Sequence, residues 1–457
     1  LGIKQVKVAV NELAIGMFVS GLDRPWTQTP FPLQGFYIRD SEEIKELKIH
    51  CNHVYVDVAK GAAPAKATLR TLKSAAKNAG SGKPFGSSQK TAAVRVAPLK
   101  IRRNVYHVDI PVAKEIRHAN ELHKQVFHAM GSIATQVARG NAKVSVEETN
   151  KAASDMVDSV LRSPDAFTWL NRVKAKDEHT YSHAVRAAVW AILLGRHVGL
   201  SKAELDSLAT GVLLKDIGKT RLSKELLRKT QRSDSEENDY QSFIYYGVEI
   251  LEGLSNITPR AVSVVKHHCE RINGKGFPLG LQGDKIPLLA RIAGLVTYYD
   301  DMVYQRGKEE PLSPSKGVAK LYDLRGTAFQ DELVVEFIRA IGVYPTGTIV
   351  ELSSGEVGVI VEQNFERRLK PVVMLVLDAD KSPLAKPAIL NMAEEEKAQH
   401  AQTVEPLTEI ERDLEPGAYH INISGVLKQY VHLSNKPKKQ GILSMFQRKK
   451  DIRLPRF

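Results

Sequence analysis

SKAELDSLATGVLLKDIGKT, residues 201–220, is the stretch on which the fold turns. Ser201 followed by Glu204 is a capping box, in which a hydroxyl and a carboxylate satisfy the free backbone N–H groups at the start of a helix. Leu205, Leu208, Val212 and Leu213 then recur at the spacing of a helix with one buried side. The helix ends at Lys215-Asp216-Ile217-Gly218-Lys219, which sets a carboxylate beside a glycine-terminated turn.

The helical pattern continues on both sides, from about 110 to 342. Ser145 to Glu148 predicts a second capping box, before a helix that Pro164 stops. Thr258-Pro259 predicts an N-cap with proline at the first helical position, leading into Val262, Val265 and His268. The fold class expected is mainly α, a helical bundle spanning 106–345 with short connections. Residues 1–60 read as a small β-rich module: Val6–Val10 and Val54–Val58 are β-prone, and Pro25, Pro30 and Pro32 punctuate the loop between them. Ser41–Leu47 reads as a short helix capped by Ser41. Residues 61–105, rich in Ala, Lys, Gly and Ser around Gly80-Ser81-Gly82-Lys83-Pro84, read as a solvated linker, because few large apolar side chains offset the entropy of ordering.

Beyond the bundle the period changes to two. Thr348–Leu352 and Val357–Val361 flank Ser353-Ser354-Gly355-Glu356, a hairpin turn, and Val372–Leu377 adds a strand, giving a β extension over 346–385. Residues 386–457, with Glu394-Glu395-Glu396, Pro437-Lys438-Lys439 and Arg448-Lys449-Lys450, read as a basic, partly disordered tail with one short helix.

The 457 residues allow two or three domains, and 43% hydrophobic with 26% charged residues is the balance of a folded, soluble chain. The longest apolar run, Ala187–Leu194, is far short of the ~18 residues of a membrane span. No secretory signal pattern opens the sequence, so secretion is not expected. Cys51 and Cys269 fall in different predicted domains, which fits unpaired thiols in a reducing cytoplasm. The net charge of +13 attracts phosphate-bearing ligands. No nucleic-acid-binding motif accompanies it, so nucleic acid is an unlikely partner.

Imidazole, carboxylate and thiolate are the usual metal-binding groups. They occur on three predicted helices: Asp216 where one ends, His183 on the helix before it, and His267-His268-Cys269-Glu270 at the end of a third. A lone histidine is more often a core or surface residue than a ligand, so these residues gain weight only from their order.

That order is HTYSHAVRAAVWAILLGRHVGLS, then LLKDIGKT, then HHCERINGKGFPLGLQGDKIPLLARI, then YYDDMVYQR. It resembles the HD-GYP family over about 170–306, most specifically in ERINGKGFPLGLQGDKIPLLARI. The first 60 residues resemble the domain of unknown function that often precedes such domains. The resemblance implies an HD-type bundle and hydrolysis of cyclic di-GMP at a cluster of two or three iron or manganese ions. Such metals polarise phosphoryl oxygens and deprotonate the attacking water.

Carried over by position, three family ligands are kept, His183, Asp216 and His268, and Cys269 is chemically able to replace a fourth. Lys215 stands at the HD histidine, Phe243 at a later histidine and Thr297 at the metal-bridging aspartate. Lys215 is expected to pair with Asp216 or turn outward, in the role that metal filled. Lys219 matches the signature lysine that would meet phosphate in an active enzyme. Arg271, Gly276, Phe277, Pro278 and Arg306 match ligand-cleft positions, and Phe277 keeps an aromatic face on which a guanine can stack.

These replacements favour a non-catalytic regulator or scaffold, with no metal or a partially occupied divalent site. The resemblance implies cyclic di-GMP as ligand and a GGDEF-domain protein as partner. The alternative is an active phosphodiesterase with an atypical site made of His183, Asp216, His268 and Cys269.

Overall fold

The computed structural model describes residues 5–24, 29, 31, 35–58, 62, 96–103, 105–140, 146–173, 182–304, 312–364, 367, 369–395, 408–415 and 417–435. Pro25, Pro30, Pro32, Gly80–Pro84, Ser145, Arg306 and the basic runs after 436 lie outside them.

The N-terminal module is a sheet backed by one helix. Its strands β1 (Gln5–Ala9), β2 (Phe18–Leu22), β3 (Phe36–Tyr37) and β4 (His53–Asp57) lie in the order β1-β4-β2-β3, every pairing antiparallel. Helix α1 (Ser41–His50) is capped by Asp40, whose carboxylate accepts from the backbone N–H of Glu43 at 2.9 Å. The expected cap, Ser41, is already the first helical residue. Asp40 holds the extended conformation a cap requires, φ −144° and ψ 173°.

The bundle begins with α2 (Val112–Ala138), followed by α3 (Glu147–Arg162) and α4 (Pro164–Val173). Val146 precedes α3 and makes no side-chain cap bond, and the box expected from Ser145 lies outside the described residues. At the centre lies α5 (Ser182–Val198), buried nearly all round by α6 (Lys202–Leu214), α11 (Leu288–Val303) and α13 (Asp331–Ile341). A helix apolar on every side is stable only inside a core. The capping box of Ser201 and Glu204 is present as expected. A 3-10 turn (Ile217–Arg221) leads to α7 (Lys224–Arg228), α8 (Asp234–Gln241), α9 (Phe243–Glu252) and α10 (Pro259–His267). Thr258 caps α10 ahead of Pro259, again as expected. Helix α12 (Pro314–Asp323) precedes α13. Among the described residues no helix is long and apolar enough to cross a membrane.

Two expectations change. Residues 96–103 are not a solvated linker but a strap on the bundle. The backbone N–H of Arg102 donates to Val198 O at 3.1 Å, that of Ala97 to Asp284 at 2.8 Å, and a guanidinium nitrogen of Arg102 to Gly199 O at 2.5 Å. These donors act together with Leu99, packed against the main core, and Val96, packed against Ile272, Ile286 and Ala290.

The segment read as a tail also folds in part. Strands β5 (Ile349–Leu352), β6 (Val357–Glu362), β7 (Val372–Leu377), β8 (Pro383–Asn391) and β9 (Ile410–Leu414) form an antiparallel sheet in the order β8-β7-β6-β5-β9. The short helix expected there is α14 (Ile423–Ser434), which packs on α2, α4 and β6 through Val426, Leu427 and Tyr430. Partners distant in sequence, rather than local pattern, order this stretch. Asp413 of β9 accepts from Ser315 N and Oγ at 3.0 and 2.5 Å, and Tyr430 donates to Glu362.

Candidate functional site

The site is built where α6 ends. Leu205, Leu208, Val212 and Leu213 anchor α6 in the core, so the residues after Leu214 emerge at a fixed place. The 3-10 turn then runs tightly against α9. A Cβ on Gly218 would lie 2.0 Å from Phe243 O and 2.4 Å from Gly247 N, so only glycine allows this approach.

The close packing turns three charged side chains onto one another. Lys215, 1% exposed, donates to Oδ2 of Asp216, and Lys219 pairs with Oδ1 at 2.7 Å. Both carboxylate oxygens thus carry an ammonium. Burial pushes the Asp216 carboxyl up, but Lys215 and Lys219 outweigh it and hold it well below the usual carboxylate range. Burial pushes Lys219 down, and Asp216 more than reverses this. Lys219 also sits over two aromatic rings, 4.9 Å from the centroid of Phe243 and 5.5 Å from that of Tyr240.

His183 and His268 both lie within electrostatic reach of Asp216, but among the described residues the three kept ligand positions do not close into a metal-holding group. Each imidazole is engaged on its Nδ1. His183 Nδ1 lies 2.7 Å from Oδ2 of the fully buried Asp300, and its Nε2 lies 3.4 Å from Asp301. Asp300 also accepts from Arg186 Nε at 3.1 Å and Trp190 Nε1 at 3.1 Å. Against the cost of burial, Arg186 and His183 hold the Asp300 carboxyl below its ordinary value. His268 Nδ1 donates to Val265 O at 2.9 Å, which leaves the lone pair on Nε2. Burial, with Lys215 beside it, pushes this imidazole down to about 3, so it is neutral.

Cys269 lies close enough to feel Asp216 and both lysines, but burial pushes its thiol up to about 12. A metal ligand must be thiolate, and here burial opposes ionisation of the free thiol. Phe243 fills its place with a ring edge-on to His268 and Phe277, at 6.1 and 6.4 Å between centroids. The hydroxyl of Thr297 is buried without a hydrogen-bond partner among the described residues.

This donor set does not fit a cluster of divalent ions. Among the described residues, no three His, Cys, Asp or Glu side chains gather as metal ligands. The carboxylate best placed to bind one already carries two cations.

A cleft of about 530 Å³ opens beside the pair, with Met130 and Ala134 of α2 on one wall and His183, Asp216, Lys219 and Asp301 at its polar end. Arg271, Gly276, Phe277 and Pro278 do not line it. Arg271 turns inward, donating to His268 O at 3.2 Å and Glu270 O at 2.8 Å with its guanidinium over Phe329. Gly276 is folded onto the backbone of Cys269–Arg271, where a Cβ would come within 2.4 Å of Glu270 Cα. The next bond, Phe277–Pro278, is cis.

Sequence reasoning missed two participants and misread a third. Asp300 orients His183 and Tyr240 flanks Lys219. Glu270, which the sequence placed among the metal-binding groups, instead accepts from the N–H groups of Leu279 at 2.7 Å and Leu281 at 2.9 Å, fastening the loop that carries Phe277. Glu270 and Asp300 stood inside the quoted motifs, but nothing local in the sequence distinguishes a buried carboxylate from a solvated one.

Comparison with known proteins agrees with this architecture. A model described as HD domain matches residues 170–333, and one described as domain of unknown function DUF3391 matches residues 5–149. The second match runs past the N-terminal sheet and includes α2, which walls the cleft. The cyclic di-GMP phosphodiesterase PA4108 of Pseudomonas aeruginosa is 29% identical over 381 residues, covering 82% of this chain and 85% of that protein. The 3'3'-cGAMP-specific phosphodiesterase 2 of Vibrio cholerae is 30% identical over 170 residues, 37% of this chain and 33% of that protein. The solved structure of Bd1817, a HDG"Y"P protein from Bdellovibrio bacteriovorus, covers 73% of this chain and 98% of its own, with a TM-score of 0.42 and 13% identity. The chain carries an HD domain preceded by DUF3391, and over most of its length it is similar to a cyclic di-GMP phosphodiesterase.

Proposed function

We propose that this chain is a non-catalytic regulator or scaffold of cyclic-di-GMP signalling, its HD site held together by internal ion pairs in place of metals. The observation that carries this reading is the Asp216 carboxylate capped on both oxygens by Lys215 and Lys219. Divalent ions placed there would meet two ammonium groups, and like charges in a low-dielectric site repel strongly. Without a metal-activated water, the hydrolytic step loses its nucleophile. An active enzyme using His183, Asp216, His268 and Cys269 would need both lysines to leave Asp216 and Cys269 to give up a firmly held proton. The two free cysteines, Cys51 and Cys269, suit a cytoplasmic setting.

The cleft favours a second reading, in which cyclic di-GMP binds without being cleaved. Its volume suits a small ligand, and Lys219 and Thr220 stand at its edge. The fastened loop carrying Phe277 supports docking of a GGDEF-domain partner, since a rigid surface loses little entropy on binding.

The test is metal analysis of protein purified with added iron or manganese, followed by hydrolysis and calorimetry with cyclic di-GMP. Sub-stoichiometric metal and no hydrolysis are expected. Hydrolysis is expected to appear in the variant Lys215→His, Phe243→His, Cys269→His, Thr297→Asp. Two bound ions and turnover in the parent chain would overturn the proposal, while a calorimetric signal without turnover selects the ligand-sensing form.

A further inference from the structure

A second buried cluster of charges lies away from the cleft, where the N-terminal module meets α13. Arg339 of α13 lies 2.7 Å from Glu43 of the module and 2.9 Å from Glu336 of its own helix. Glu43 is 5% exposed and Glu336 is fully buried. Burial drives the Glu336 carboxyl up, but Arg339 and His197 hold it far below its ordinary value. Arg103 of the strap reaches Asp40 at 3.3 Å and Glu336 at 3.6 Å. Arg39 of the module meets Asp331 at 2.6 Å, which Arg325 also meets at 3.2 Å.

Two further observations show how this joint differs from a core. The module's apolar cluster draws only on residues between 6 and 58, and the bundle's cluster contains none of them. The cores do not merge, and the contacts named across the joint are polar: the ion pairs above and the Tyr322 hydroxyl donating to Gly35 O at 3.0 Å. In addition, Nη1 of Arg39 is buried with no acceptor among the described residues.

We infer that this ionic cluster is a latch from which the N-terminal module undocks as a folded unit. Buried charge pairs fix orientation well but contribute little net adhesion, because desolvation cancels much of their attraction. An interface made of them is specific and reversible, and the pair between Arg39 and the part-exposed Asp331 is the portion that salt screens. The latch is also tied to the bundle's central helix. His197, in the last turn of α5, lies 2.8 Å from Glu336, while His183, in the first turn, lies at the cleft.

The test is amide exchange by mass spectrometry on the full chain, comparing wild type with Glu43→Gln and Arg39→Gln, at low salt and with added sodium chloride. Both substitutions lie on the module and leave the bundle's residues intact. In each variant, exchange in α1 and along the exposed-when-open face of α13 is expected to rise by at least about tenfold, with β1, β4 and α5 still protected. Added salt, which screens the Arg39–Asp331 pair and little of the buried remainder, is expected to move wild type the same way by a smaller factor. Protection of α1 unchanged in both variants and in salt would overturn the latch. So would loss of protection in α5 together with α1, because module and bundle would then open as one cooperative unit. If Glu43→Gln also exposes β1 and β4, the module itself has unfolded and Arg39→Gln decides between these outcomes.

Discussion

Lys215 and Asp216 are neighbours in sequence, yet their side chains meet. Adjacent residues on a helix point in different directions. Here α6 ends at Leu214, and the backbone passes from φ −54°, ψ −30° at Lys215 to φ −100°, ψ 6° at Asp216, which swings the two side chains together. Lys219 closes on the other oxygen from the 3-10 turn.

Removing the buried cation should therefore destabilise the bundle. Breaking one side of a buried ion pair costs about 3–5 kcal/mol, and the remaining Lys219 pair places Lys215→Met near the lower end. Urea unfolding measures it. The double variant Lys215→Met, Asp216→Asn should lose less than the sum of the two single changes, since the partners act as a unit. A neutral Lys215→Met would mean that the pair contributes nothing.

Stability should fall with acid across the range where His268 differs between states. Its folded value is about 3 against an ordinary 6.5, so between these the unfolded chain binds the extra proton. The contribution is fully present above about 6.5 and is lost as pH falls toward 3. Asp216 and Asp300, held below their ordinary 3.8, act in the same direction at the acid end. Chemical denaturation from pH 7 to pH 4 should show the slope, and His268→Gln should flatten it.

Cys269 should be slow to alkylate. With its thiol pushed up to about 12, the thiolate fraction at pH 8 is about a thousandfold below that of an ordinary cysteine. Cys51, raised to about 11, should also lag. Iodoacetamide labelling read by mass spectrometry should be slow in the native protein and rapid in urea. Fast native labelling at Cys269 would show a thiolate fit for metal.

Glu270→Gln should loosen the Phe277 loop. The carboxylate accepts two backbone N–H bonds, at Leu279 and Leu281. An amide offers one oxygen and brings a donor that neither can accept, so a loss of about 1–3 kcal/mol is expected. The loss should appear as faster exchange at both residues, and unchanged protection there would rule out the fastening role.

Much of this was legible in the sequence, for local reasons. Ser201 with Glu204 and Thr258 with Pro259 announce their helices because capping is settled within four residues. The pairing of Lys215 with Asp216 was one of two arrangements expected, and which one forms depends on how the chain leaves α6 after Leu214. Long-range partners were not legible. Residues 96–103 and 410–414 carry no strong pattern of their own and are ordered by Val198, Gly199 and Ser315, each far away in sequence. Arg271 looked like a ligand-binding cation, but the bare carbonyls at the end of α10 claim it.

The helix α2 has a consequence of its own. It belongs to the segment matched by DUF3391 yet supplies Met130 and Ala134 to the cleft of the HD domain. An HD domain cut from this chain at residue 170 would keep its charged floor and lose one side of the chamber, leaving Leu213 and Ile217 facing water. Truncations designed on the family boundary should accordingly yield sticky, aggregation-prone protein, while those beginning ahead of residue 96 should behave as the parent does.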